Sequence, residues 1–210
     1  MDNTNPYKPI FFLTEDHASG ALRRFIADGN GWDSLHVGGT ITFLYFYGDG
    51  NFDWTADEGL GRQSAAQYYP ETEGISYHDG QLYFVTKTRK TLFILDLTNM
   101  TYKQETVGGD LLSGRGSFNS QPDQIVFANI KKKYLYFTED GGRNPGVFAR
   151  DESGTYYTIF QGIDGYYLGD EDGDETVGVA LTPDRQRLYA GIQDAGVLFE
   201  FTRDDGMPFE

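Results

Sequence analysis

The chain has no cysteine among its 210 residues. That excludes disulfides, thiolate nucleophiles and Cys-based zinc or iron–sulfur sites. Histidine is scarce: His17, His36 and His78 are the only three, and their separations do not form a metal-ligand spacing. Each reads as a surface or turn residue. Positive charge is also short, with 17 Lys and Arg against 32 Asp and Glu, a formal net charge of −15. A field of that sign repels phosphate backbones and anionic lipid, so nucleic acid drops out as a partner and Lys131-Lys132-Lys133 reads as a charged turn. No run approaches the roughly 18 apolar residues of a membrane span. Residues 1–9 are polar, read as a flexible N-terminus, and carry no signal-peptide core.

What the chain has instead is aromatic side chains, at 16%, and 27 glycines, a composition suited to strands and tight turns. It also repeats itself. Leu82-Tyr83-Phe84, Leu135-Tyr136-Phe137 and Leu188-Tyr189-Ala190 each open an alternating strand, and their leucines stand 53 residues apart both times. A second apolar strand follows each, at 91–97, 146–150 and 196–202. An earlier copy reads Phe11-Phe12-Leu13-Thr14-Glu15-Asp16 and then 20–27, and its Thr-Glu-Asp recurs at Thr138-Glu139-Asp140. Further strands are expected upstream at 74–78, 124–128 and 177–181, and downstream at 101–107 and 155–160.

A unit of about 50 residues with short antiparallel strands is the size of a propeller blade. The expectation is therefore an all-β, β-propeller-like fold of about four blades of antiparallel strands, an incomplete ring included. A sandwich gives no reason for a fixed period, and a solenoid would repeat faster. Residues 1–210 are read as one domain, with residues 30–70 as an insertion between the first and second repeats: a strand at 40–47 and then a long loop. The first copy lacks its innermost strand.

In a propeller the starts of the first strands converge on the axis, and here they are acidic: Glu73, Asp123 and Glu175. Carboxylates gathered without Lys or Arg repel, and calcium, with six to eight oxygen ligands, relieves that repulsion. Glu15 and Glu139, from the two Thr-Glu-Asp turns, extend the expected metal set to Glu15, Glu73, Asp123, Glu139 and Glu175. Arg143, beside the second turn, is the candidate phosphate contact. The run 170–175 looks like a calcium loop, yet Leu181 stands where the bidentate Glu belongs, so it reads as solvated. Trp32, Trp54, Tyr68-Tyr69 and Tyr166-Tyr167 would suit a sugar-binding loop surface.

Taken in order, Thr14-Glu15-Asp16 with residues 20–25, Glu73-Gly74-Ile75, Gln121-Pro122-Asp123, residues 175–178 with Thr182-Pro183-Asp184, and residues 187–196 resemble the C-terminal part of PhoX-type alkaline phosphatases and their uncharacterised relatives. The resemblance covers most of the chain. It implies a phosphomonoesterase that uses calcium and a second metal cluster, secreted or periplasmic, with a phosphate ester as substrate. Such enzymes take part of their site, including a cysteine, from a preceding region, and this chain has no cysteine for the second metal. The expected function is a PhoX-like metal-dependent phosphomonoesterase or a catalytically degenerate piece of one. The alternative is a non-catalytic propeller module that binds a protein partner or self-assembles through exposed blade edges.

Overall fold

A computed structural model describes residues 1–2, 4–30, 32–107, 118, 120–129, 133–141, 145–161 and 174–209, with the backbone alone at Trp32 and Asn129. The chain divides into two compact units, Met1–Glu105 and Thr106–Glu210. Among the described residues there are four antiparallel sheets, each a meander in which strands adjacent in sequence are adjacent in space. That is the blade pattern expected of a β-propeller-like fold.

The first sheet runs β1 (Ile10–Leu13), β2 (Arg23–Ala27), β3 (Gly39–Phe46) and β4 (Phe52–Thr55). The second runs β5 (Thr72–His78), β6 (Gln81–Thr86), β7 (Thr91–Asp96) and β8 (Thr101–Thr106). Between them lies the helix α1 (Glu58–Tyr68). The two sheets share a core of Leu22, Leu44, Phe46, Phe52, Trp54, Tyr69, Leu82, Phe84, Phe93 and Leu95. Each large apolar side chain so buried stabilises by about 1.5–3 kcal/mol. Its aromatic members stack: Phe46 on Tyr102 at 3.9 Å between ring centroids, Phe84 on Phe93 at 4.9 Å.

In the second unit, β9 (Gln121–Asn129), β10 (Lys133–Asp140), β11 (Gly146–Arg150) and β12 (Tyr156–Gln161) form one sheet. β13 (Thr176–Leu181), β14 (Leu188–Ile192) and β15 (Val197–Phe201) form the other, which has three strands. Ala128, Tyr136, Val147, Ala149, Leu188, Ala190 and Phe209 make their common core.

The strands read from sequence are all present, within a few residues of the expected ends. In residues 30–70 the expected strand is present as β3, but the long loop expected after it is not. These residues hold a 3-10 helix (Trp32–His36), β3, β4 and α1, and β3 and β4 complete the first sheet. Gly59 and Gly61 made this stretch look like loop, but Gly61 is where the helix lies against β3: an added Cβ would stand 2.4 Å from Phe43 Cβ. The Asp57 carboxylate starts the helix by accepting from the Gly59 and Leu60 N–H groups. Ser64 Oγ accepts the Phe46 N–H at 2.9 Å and the Tyr69 hydroxyl donates to the Leu44 carbonyl at 2.5 Å, which ties the helix to the main chain of β3.

Many acidic residues are used locally, as turn formers. Asp96 accepts from the Thr98 and Asn99 N–H groups, Asp151 from Ser153 and Thr155, Asp49 from Asn51, and Asp184 from Gln186. The β5–β6 hairpin turns on Asp79 and Gly80, both at positive φ (46° and 76°), as a tight two-residue turn requires.

Candidate functional site

Pairing with the second strand of each sheet defines which acids are equivalent. Thr72 faces Thr86, Pro122 faces Glu139 and Thr176 faces Ile192, and each partner lies four residues beyond the repeat leucine (Leu82, Leu135, Leu188). Glu73 and Asp123 therefore do hold matching places, next to a β-bulge in each first strand. Glu175 does not. It precedes Thr176, whereas Glu73 follows Thr72, so the last repeat has Val177 at that place. The equal spacing in sequence overlooked a two-residue offset in register.

In the first unit the expected acids have cationic neighbours, contrary to the expectation of unaccompanied carboxylates. Glu15 Oε2 accepts Arg23 Nη2 at 2.5 Å and lies 3.7 Å from Arg62 Nη2, which also pairs with Glu58. Glu73 meets Lys87 at 3.1 Å, and the same ammonium reaches Asp16 at 3.5 Å. These pairs are partly exposed and contribute little net stability each, about 0–1 kcal/mol, but they neutralise the charge that a metal was expected to neutralise.

In the second unit the acids are buried and bonded to main chain. Glu139, 1% exposed, accepts the Ser120 N–H at 2.5 Å through one carboxylate oxygen and the Gly146 N–H at 3.0 Å through the other. Asp174, equally buried, accepts from the N–H groups of Glu175, Asp194 and Ala195. Asp123 lies 3.4 Å from the Thr138 hydroxyl, which accepts the Gln124 N–H at 2.9 Å. Glu175 accepts the Gln193 N–H on its carbonyl. Arg143, Tyr166, Tyr167, Lys131, Lys132 and residues 170–173 lie outside the described residues. Trp54 is a core residue, 9% exposed, with the Arg24 guanidinium 4.7 Å from its ring centroid, and Tyr69 is fully buried.

What the two Thr-Glu-Asp turns share is a fastening to the next sheet. The Glu15 N–H donates to Thr72 Oγ1 at 3.1 Å, and that hydroxyl faces the Glu15 carbonyl at 3.2 Å. In the second unit the Glu139 N–H donates to Thr176 Oγ1 at 2.8 Å, and the hydroxyl donates to the Gly146 carbonyl at 2.7 Å, with the Glu139 carbonyl at 3.2 Å. Both threonines are buried first residues of their sheets. Nothing in the sequence marks these threonines except that each adjoins an acid of the expected metal set, in Thr72-Glu73 and Glu175-Thr176. Among the described residues no group of three or more His, Asp or Glu is arranged to hold a metal ion.

No protein-family model matches the sequence, and no curated protein matches it. Among solved structures, a regucalcin described as a calcium-binding protein from Agrobacterium tumefaciens strain C58 aligns over 66% of this chain at 11% identity and a TM-score of 0.31. The chain spans 57% of that protein's length. A chain of a nidogen/laminin complex aligns over 98% of this chain and 80% of its own, at 13% identity and a TM-score of 0.40. Both neighbours are β-propeller proteins, and both are too distant to place a functional residue. The fold class rests on the four meander sheets: this chain is a propeller-type β module.

Proposed function

We propose that the chain is a non-catalytic propeller module that works by association with a protein surface. The observation that carries this reading is the employment of the acidic side chains. Glu139 and Asp174 each hold main-chain N–H groups in a buried setting, and Glu15 and Glu73 face arginines and a lysine. Each Glu139 oxygen already accepts a buried N–H, and any metal that turned the carboxylate away from these groups would leave them unpaired at a cost of about 1–3 kcal/mol each. A second reading, the PhoX-like phosphomonoesterase using calcium, draws on one feature. Asp123, Glu139 and Asp174 are all buried near the start of β9, the end of β10 and the start of β13, which meet through the Glu139–Thr176 bond.

One experiment separates the two. The chain is titrated with calcium by calorimetry and assayed with p-nitrophenyl phosphate in the presence of calcium and iron. The association reading expects no binding heat and no turnover above a Glu175→Ala control. Metal-dependent turnover that disappears in Glu139→Gln would reject it in favour of the phosphatase.

A further inference from the structure

Among the described residues the sheet of β13, β14 and β15 has three strands where each of the others has four, and the position without a described strand is the one beyond β15. In an antiparallel ladder the main-chain groups of successive residues point to alternate neighbours. Gln193 N–H donates to the Glu175 carbonyl and Thr182 N–H to the Arg187 carbonyl, so the odd-numbered residues around β14 turn toward β13. Leu188, Ala190 and Ile192 therefore turn toward β15, where they face Phe201, Phe199 and Val197. The main-chain groups of Leu198 and Glu200 point outward, with no ladder partner among the described residues.

β15 has no lysine, proline or bulge at this edge, and its one charge, Glu200, is paired with Arg187. Exposed strands are ordinarily blunted by lysine, proline or a bulge. β8, an outer strand with its full sheet, carries Lys103 and Glu105, whereas β15 reads Val-Leu-Phe-Glu-Phe with an unbroken register against β14. Leu198 is 69% exposed, more than any other large aliphatic side chain among the described residues.

We infer that β15 pairs antiparallel with β15 of a second copy, about a two-fold axis at Phe199, to make one continuous sheet of six strands. The strand is complementary to itself in this register. Leu198 faces the partner's Glu200 and exchanges both main-chain hydrogen bonds with it, Phe199 faces its own counterpart, and Val197 faces the partner's Phe201, so every residue of the strand is paired. Centring on Glu200 would set like charges opposite each other. Centring on Leu198 would draw in Gly196, which is in a turn at φ 61° and not extended. Glu200 keeps its contacts with Arg187 (3.2 Å) and the Tyr189 hydroxyl (2.5 Å), which lie on the face away from the Phe199 ring. An isologous contact of this kind closes at two copies and does not propagate.

This inference names the partner for the association reading and fails separately from it. Sedimentation of the full chain across the micromolar range should show the mass rising toward twice 23.6 kDa. Leu198→Glu, which faces the partner's Glu200, should weaken the dimer by about tenfold or more, and Leu198→Lys, which faces the same carboxylate, should keep it within about threefold. Far-UV circular dichroism of both variants checks folding. Because the chain has no cysteine, Leu198→Cys/Glu200→Cys should give a covalent dimer under mild oxidation while Leu198→Cys alone should not. A monomer at every concentration overturns the inference and leaves the module reading standing. A dimer indifferent to Leu198→Glu, or a stable complex only with a different protein, overturns it as well. Phosphatase turnover would reject the module reading without touching the dimer.

Discussion

Replacing Thr176 by valine keeps a β-branched side chain of the same shape and removes one hydroxyl. That hydroxyl accepts the Glu139 N–H at 2.8 Å and, with its single proton, serves the Gly146 carbonyl at 2.7 Å in preference to the Glu139 carbonyl at 3.2 Å. Thr176 is 0% exposed and Glu139 1%, so water has no access to replace either bond. Leaving one buried donor and one buried acceptor unpaired costs about 2–4 kcal/mol together. Thr176→Ser, which keeps the hydroxyl and loses a methyl, should cost about 1 kcal/mol. Thr72→Val removes the equivalent fastening in the first unit, but its bonds are longer, 3.1 and 3.2 Å, and Glu15 is partly exposed, so about 1 kcal/mol is expected there. The assay is urea unfolding followed by fluorescence, reading the midpoint at unchanged slope. If Thr176→Val proves as stable as Thr176→Ser, the hydroxyl does not fasten the third sheet to the fourth and the reasoning is refuted.

Gly61→Ala should destabilise by about 1–3 kcal/mol although alanine is the better helix former, because the new Cβ meets the Phe43 Cβ at 2.4 Å and neither backbone can yield freely; a raised melting temperature would show that α1 does not need the glycine. The pH profile follows from the turns. Hydrogen bonds from Arg203 and the Met207 N–H bring Asp205 down to about 2, and the N–H groups of Asn99 and Asn51 lower Asp96 and Asp49. The Thr182 hydroxyl and the Gln186 N–H lower Asp184. Carboxylates depressed on folding add stability that is present above their ordinary value, near 3.8, and lost as pH falls through the folded one. Thermal stability should hold from neutral pH to about 4 and decline from there toward 2; a decline already under way at pH 6 would point to other groups.

The strand hairpins were legible because alternation has a period of two residues and a repeat leucine marks each unit, signals that survive without any tertiary contact. β4 and α1 were not. Gly59 and Gly61 look like helix breakers until Phe43 is seen against the second of them, and the weight of that contact depends on a strand fifteen or more residues away. The candidate site was half legible. Glu73 and Asp123 do hold equivalent places, but Glu175 was assigned from spacing, and a bulge together with a two-residue offset moves the equivalence to Val177.

The amino-acid order by itself determined the all-β class, the number of hairpins and the exclusion of thiol chemistry, since these depend on residue type and local period. Only the tertiary structure decided what the acids do. Whether a carboxylate is free for a ligand depends on which donors the fold brings to it, and those donors come from elsewhere in the chain: Arg62 to Glu15, Lys87 to Glu73, and the Ser120 main chain to Glu139. The edge of β15, without a ladder partner among the described residues, belongs to the same class of fact, because a strand's neighbours are a property of the assembled sheet and of no single residue.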